Sequence, residues 1–179
     1  MKHGHRGHSG NKPGDGRPGA FAHGPTGGQR GSDQDENEIA QILKSTKRIE
    51  LWSGSNRRTL RPELLDSEAR ERAKELRGVA SSQLYRFYAT AVAFKQRLQI
   101  DQQVTDGEVE AQIAYLKASS AYSGARRQAK EQAKALPLVE FFAAAANSVR
   151  TREDYIGFTR HFEAIMAFHK VFEEKRTDG

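Results

Sequence analysis

One stretch, Ser81–Leu98, limits most strongly the folds that this chain can adopt. Its larger apolar residues recur at intervals of three and four positions, which places their side chains on one stripe of an α-helix. The stripe consists of Leu84, Phe87, Ala91, Phe94 and Leu98. Because an apolar stripe of this kind has to be covered, the stretch predicts a helix that packs by one face against other elements.

A second stripe runs beside the apolar one at the same spacing, and we call it the polar rim. It consists of Gln83, Arg86, Thr90, Ala93 and Arg97. These side chains suit a regular anion such as a nucleic-acid backbone, because guanidinium groups match pairs of phosphate oxygens. Arginine and glutamine also border many amphipathic helices simply because they stay solvated. The rim alone therefore leaves both interpretations open.

Helical spacing recurs in several further segments, and no alternation typical of strands appears. Pro62–Arg77 is one such segment, with Gly78 placed to end it. A capping-box pattern at Thr105–Glu108 opens the next helix, and Pro137 starts or kinks the one after it. The last helix, from 153 to about 175, is expected to lie nearly antiparallel to a long neighbour. We therefore predict an all-α fold, a compact bundle of about five helices.

Three local expectations concern the ends and faces of these helices. Ser81 or Ser82 is expected to cap the helix predicted over Ser81–Leu98. Residues 123–127 combine a glycine with two arginines and predict a break followed by a basic segment. Tyr115 and Tyr122 share a second face of their helix, so we expect that helix to be covered on two sides.

The composition divides the chain into three parts. Residues 1–32 contain ten of the sixteen glycines and three of the five prolines, and they hold a net charge of +4 out of +6. Such a segment buries too little surface to offset its ordering entropy, so we predict a disordered, basic, Gly/His-rich tail. Residues 33–61 predict a possible extra helix, over about 36–52, and a linker. Residues 62–179 predict the helical domain.

Several classes of protein are excluded or disfavoured. The chain has no cysteine, so disulfides, zinc-thiolate sites and thiol nucleophiles are impossible, and a cytoplasmic location is expected. No apolar run approaches the roughly 20 residues that a membrane span needs. The sequence contains no phosphate-binding glycine loop ending in Gly-Lys-Ser/Thr, no Gly-x-Ser-x-Gly and no His-Glu-x-x-His. The acids Asp106, Glu108 and Glu110 are explained better by helix capping than by a metal site. We predict no catalytic residue, no metal, no cofactor and no membrane.

Three stretches in order resemble one family, the small subunit of the type III-A CRISPR effector assembly (the Csm complex). They are Ser81–Tyr88 (SSQLYRFY), Leu116–Arg127 (LKASSAYSGARR) and Phe162–Lys170 (FEAIMAFHK). The resemblance covers about residues 62–176. Tyr85 departs from it, because the family often has an arginine there. This tyrosine stacks on a ribose, packs on a neighbouring subunit, or does neither.

The resemblance implies a non-catalytic subunit that stacks, copy after copy, along the guide RNA and its paired target RNA. Backbone subunits and a large subunit of the complex are the implied protein partners. The RNA-binding residues carried over from the family are Gln83, Arg86, Lys117, Arg126 and Arg127. Helix geometry adds Lys95, Arg97 and Lys130 as basic neighbours. One alternative is a helical scaffold whose basic patches dock acidic protein partners. Another is a hydrolase with a metal at Asp106, Glu108 and Glu110.

Overall fold

A computed structural model of the chain describes residues 38–54 and 59–177. Within these ranges the regular structure is helical, and one isolated antiparallel bridge joins Trp52 to Leu60. The helices are α1 (38–45), α2 (Ser67–Glu75), α3 (Ser81–Ile100), α4 (Asp106–Ala125), α5 (Ala129–Ser148) and α6 (Arg152–Thr177). The predicted all-α bundle is confirmed, and α1 lies within the segment 33–61 for which a possible extra helix was expected. The predicted tail, residues 1–32, lies outside the described residues.

Helix α3 contains the stretch Ser81–Leu98 with its apolar stripe, and it runs antiparallel to α4. Near its start, the amide of Gln83 donates a hydrogen bond to the Ser123 hydroxyl over 2.9 Å. Near its end, Arg97 donates to the carboxylate of Glu108 over 2.8 Å. These two contacts pair opposite ends of the two helices, so α3 and α4 run antiparallel and are joined near both ends by long side chains.

Helix α6 lies antiparallel to α3 on another side. The hydroxyl of Ser81 donates to the Glu173 carboxylate over 2.5 Å, and the guanidinium of Arg152 donates to the Leu98 carbonyl. The long antiparallel neighbour predicted for the last helix is therefore α3. The expectation that Ser81 or Ser82 caps α3 is wrong, because the N-cap of α3 is Ala80 and no side chain caps it.

The core is an aromatic cluster at the centre of the bundle. Its fully buried rings belong to α5 and α6: Phe141, Phe142, Tyr155, Phe158 and Phe162. The apolar stripe of α3 packs on this cluster, with the Phe87 ring centroid 5.0 Å from that of Phe142. Leu84, Phe87, Ala91 and Leu98 are buried as predicted, and Phe94 is partly buried. This burial turns the adjacent stripe of α3, the polar rim, towards α4, where Gln83 and Arg97 find their partners.

Pro137 lies inside a helix, not at its start. Helix α5 begins at Ala129 and continues through the proline, which removes one backbone donor from the Ala133 carbonyl. Buried residues occur on both sides of the proline, among them Ala135 and Leu138. Tertiary packing therefore continues a helix that local sequence rules would stop. The break expected at 123–127 occurs slightly later, because α4 runs to Ala125.

The segments before α3 also differ from the prediction. Helix α1 ends at 45, and residues 46–51 are not helical, so the helix expected over 36–52 is wrong in its second half. The segment Pro62–Arg77 is not one α-helix either. Pro62–Leu65 forms a 3-10 turn, Asp66 interrupts it with φ −131° and ψ −91°, and α2 follows. The expected stop at Gly78 is correct, since a second 3-10 turn, Leu76–Gly78, ends there.

Candidate nucleic-acid interface

An open groove of about 530 Å³ separates α3 from α4 on the outside of the bundle, and we call it the α3–α4 groove. Its floor is apolar, formed by Phe87 and Leu116, which anchor the two helices in the core. Its polar walls hold three arginines, three aliphatic hydroxyl side chains and two tyrosines: Arg86, Arg126, Arg127, Thr90, Ser119, Ser123, Tyr115 and Tyr122. The groove therefore presents only neutral and cationic hydrogen-bonding groups.

Among the described residues that line the groove, none is an aspartate or a glutamate. A second cleft, between residues 42–50 and α2, differs in this respect, because several glutamates line it beside its arginines. There, Arg72 pairs with Glu75 over 2.7 Å. Arg86, in contrast, is exposed and forms no ion pair with a described residue. Among the described residues, the lining of the α3–α4 groove therefore holds cations without an acid, and the nearby Glu131, which interacts electrostatically with Arg127, lies outside that lining.

Two of the predicted arginines are held in place by neighbours. The Arg126 guanidinium lies over the Tyr122 ring, 5.3 Å from its centroid. Arg127 donates to the side-chain oxygen of Gln83, whose amide nitrogen donates to Ser123. Gln83 is only 6 % exposed, so both ends of its amide face protein groups. The structure thus places Gln83 behind the groove, where it orients Arg127.

The remaining predicted residues do not line the groove. Arg97 lies beyond one end of it, against the start of α4, where it pairs with Glu108. The backbone of Thr105 and the Arg97 guanidinium hold the pKa of Glu108 below its usual value. Lys95 and Lys117 are half-buried, and Lys130 is exposed at the start of α5. The structure therefore brings together Arg86, Arg126 and Arg127, with Gln83 behind them.

Sequence reasoning missed several lining residues of α4. Tyr115 and Tyr122 are 60 % and 63 % exposed, so the expected cover on the second face of α4 is absent from the described part of the chain. Together with Ser119 and Arg126 they follow at intervals of four, three and four, which is itself a helical stripe. That polar spacing could have identified the wall. Tyr85, 64 % exposed, is not among the lining residues.

The acids that suggested a metal site have structural roles. Glu108 completes a capping box with Thr105, accepting from its backbone N–H over 3.0 Å. Glu110 lies 3.6 Å from Arg150. No cluster of three or more potential metal ligands occurs within residues 38–54 and 59–177. The hydrolase alternative therefore has no assembled site among these acids.

The two histidines of α6 are buried and bonded to backbone carbonyls. His161 Nδ1 lies 2.6 Å from the Leu64 carbonyl oxygen, and because a carbonyl only accepts, Nδ1 carries the proton. Burial lowers the pKa of His161 and favours its neutral form. His169 Nε2 lies 3.2 Å from the Leu76 carbonyl oxygen. Both histidines connect α6 to the α2 region.

Comparison with known proteins gives one match. The family model described as Csm2 Type III-A matches residues 59–175, a span that includes every residue of the α3–α4 groove. No curated protein and no solved structure matches the chain. In the described part of the chain, none of the helices has the length and apolar character that a bilayer span requires.

Proposed function

This chain belongs to the Csm2 family, the small subunits of type III-A CRISPR complexes, and we propose that it binds RNA backbone there through the α3–α4 groove. Membership makes it a subunit of such a complex. The proposed contribution is binding without catalysis, along the duplex of guide RNA and target RNA. Neighbouring copies, backbone subunits and the large subunit are its proposed protein partners, in the cytoplasm.

The composition of the groove wall is the observation that carries this proposal. Three guanidinium groups and five hydroxyls, two of them phenolic, line one groove, and no carboxylate lines it among the described residues. Guanidinium groups bind phosphate oxygens, and hydroxyls both donate to phosphates and exchange hydrogen bonds with ribose 2′-hydroxyls. An RNA duplex is recognised through these same groups, since its deep major groove hides the base edges.

Sequence independence follows from the task of such a subunit. A complex that accepts any guide delegates sequence reading to base pairing, so its proteins contact shape and backbone. We assign the phosphate contacts to Arg86 and Arg126, with Arg127 held ready by Gln83. Lys95, Lys117 and Lys130 strengthen the positive field around the groove. Arg97 reaches RNA only if it leaves Glu108, so we assign it a smaller part.

A filter-binding assay with two duplex RNAs of unrelated sequence tests the proposal. We expect equal affinity for both within about twofold, and a steep fall with rising salt because bound phosphates release their counterions. A clear preference for one sequence contradicts backbone recognition. Absence of RNA binding at up to about 100 μM protein, a limit near the weakest non-specific affinities, also contradicts it and favours the scaffold that docks acidic partners.

A further inference from the structure

Tyr115 and Tyr122 are unusual because large aromatic rings of this chain are otherwise mainly core residues. Five rings of α5 and α6 are fully buried, whereas these two are 60 % and 63 % exposed. Both line the α3–α4 groove. They are seven residues apart on α4, which separates them by about 10 Å along the helix axis. The groove therefore has two separate aromatic surfaces beside its arginines.

Arg126 holds the Tyr122 ring in a defined orientation. Its guanidinium lies over the Tyr122 ring, 5.3 Å from the centroid. This cation–π contact limits the rotation of an exposed side chain, and it occupies only one face of the ring. The Tyr122 side chain nevertheless stays 63 % exposed, so ring surface is open to a flat partner. A ring fixed in this way loses less entropy on binding than a free one.

We propose that Tyr115 and Tyr122 are stacking platforms for unpaired bases, so that the groove also binds single-stranded RNA. This inference rests on the proposed function and extends it to a second form of the same ligand. Exposed aromatic rings inside a cationic groove are the combination that binds single strands without sequence preference, because every base has a flat face. Arg86 and Arg126 hold the phosphates between the stacked bases.

A paired base cannot use these platforms. Bases in a duplex already stack on one another, so a protein ring reaches their faces only where a base is unpaired or at an end. The rings therefore add affinity for single strands, while the arginines serve both forms. A second copy of this chain is the less favoured occupant, because the chain carries a net charge of +6 and the groove lining holds three arginines and no described acid.

The test compares two double variants of the full chain. Tyr115→Ala/Tyr122→Ala removes both rings, and Tyr115→Phe/Tyr122→Phe keeps the rings without the hydroxyls. The ligands are an oligouridine, an abasic strand with the same number of phosphates, and a blunt duplex. Because stacking contributes about tenfold per base, the alanine variant should bind oligouridine about 10- to 100-fold more weakly. The phenylalanine variant should bind it like the wild type.

Three outcomes overturn the inference. The first is unchanged affinity of the alanine variant for oligouridine. The second is an equal loss with the abasic strand or the duplex, which would make the rings general contacts. The third is a changed self-association in sedimentation with unchanged RNA affinity, which would assign the rings to contacts between copies. In each of these outcomes the wild-type chain can still bind duplex RNA through Arg86 and Arg126. The proposed function is therefore tested separately, by the binding of duplex RNA to the wild type and to the arginine variant.

Discussion

Reversing the charges of Arg86 and Arg126 together is expected to lower the affinity for duplex RNA by about a hundredfold or more. Removing one charged hydrogen bond to a phosphate costs about 1.5 kcal/mol, which is about tenfold in affinity. The new carboxylates add repulsion inside a groove that has no described acid. Both residues are exposed, so the Arg86→Glu/Arg126→Glu variant should melt at the wild-type temperature.

The salt dependence of this variant gives a second readout. The slope of log affinity against log salt concentration should become shallower by about 0.9 for each phosphate that the variant no longer binds. The matched control is Lys44→Glu/Arg160→Glu, which changes the net charge equally at exposed positions of α1 and α6, outside the groove. An equal loss of affinity in this control would attribute binding to net charge and reject the groove.

Asp154→Ala is expected to destabilise the fold by about 2–4 kcal/mol, because it removes a buried carboxylate with several donors. One carboxylate oxygen accepts from the indole N–H of Trp52 over 2.7 Å. The other accepts from the backbone N–H groups of Arg150 and Thr151, both over 3.1 Å. Asp154 is only 2 % exposed, so water cannot easily replace it. Urea unfolding monitored by circular dichroism measures the loss.

Asp101→Ala is the matched control for this prediction. Asp101 also accepts a backbone N–H, from Gln103 over 2.9 Å, but its side chain is 41 % exposed. Its replacement should therefore cost less than about 1 kcal/mol. Equal unfolding free energies for Asp154→Ala and the wild type would show that the contact between the Trp52 segment and α6 does not stabilise the fold.

Local patterns predicted the parts of the fold that local physics determines. The apolar stripe of α3 is buried because its spacing matches the helix, whatever covers it. The capping box of Thr105 and Glu108 formed as expected, since it needs only four consecutive residues. The sequence left open whether Pro137 starts or kinks its helix, because the buried contacts that sustain α5 through the proline come from other elements. Residues 46–51 were missed for a similar reason, since Trp52 bonds to Asp154 of α6.

The candidate site was predicted only in part, because periodicity does not tell which edge of a helix meets a neighbour. Gln83 and Arg86 lie on the same polar rim, yet α4 covers the first and leaves the second exposed. Arg97 was placed on the rim correctly, but its pairing with Glu108 depends on where α4 begins. The tyrosines of α4 were expected to be covered, and only the packed bundle shows them open.

Photo-cross-linking of the full chain to duplex RNA containing 4-thiouridine tests most directly whether the α3–α4 groove is the RNA-binding surface. Mass spectrometry then identifies the cross-linked peptides. If the groove binds the duplex, the adducts fall in peptides of α3 and α4 that contain residues 86–90 and 115–127, and they disappear in the Arg86→Glu/Arg126→Glu variant. Adducts confined to α2 and α6 would contradict this and place the RNA on a different surface of the bundle.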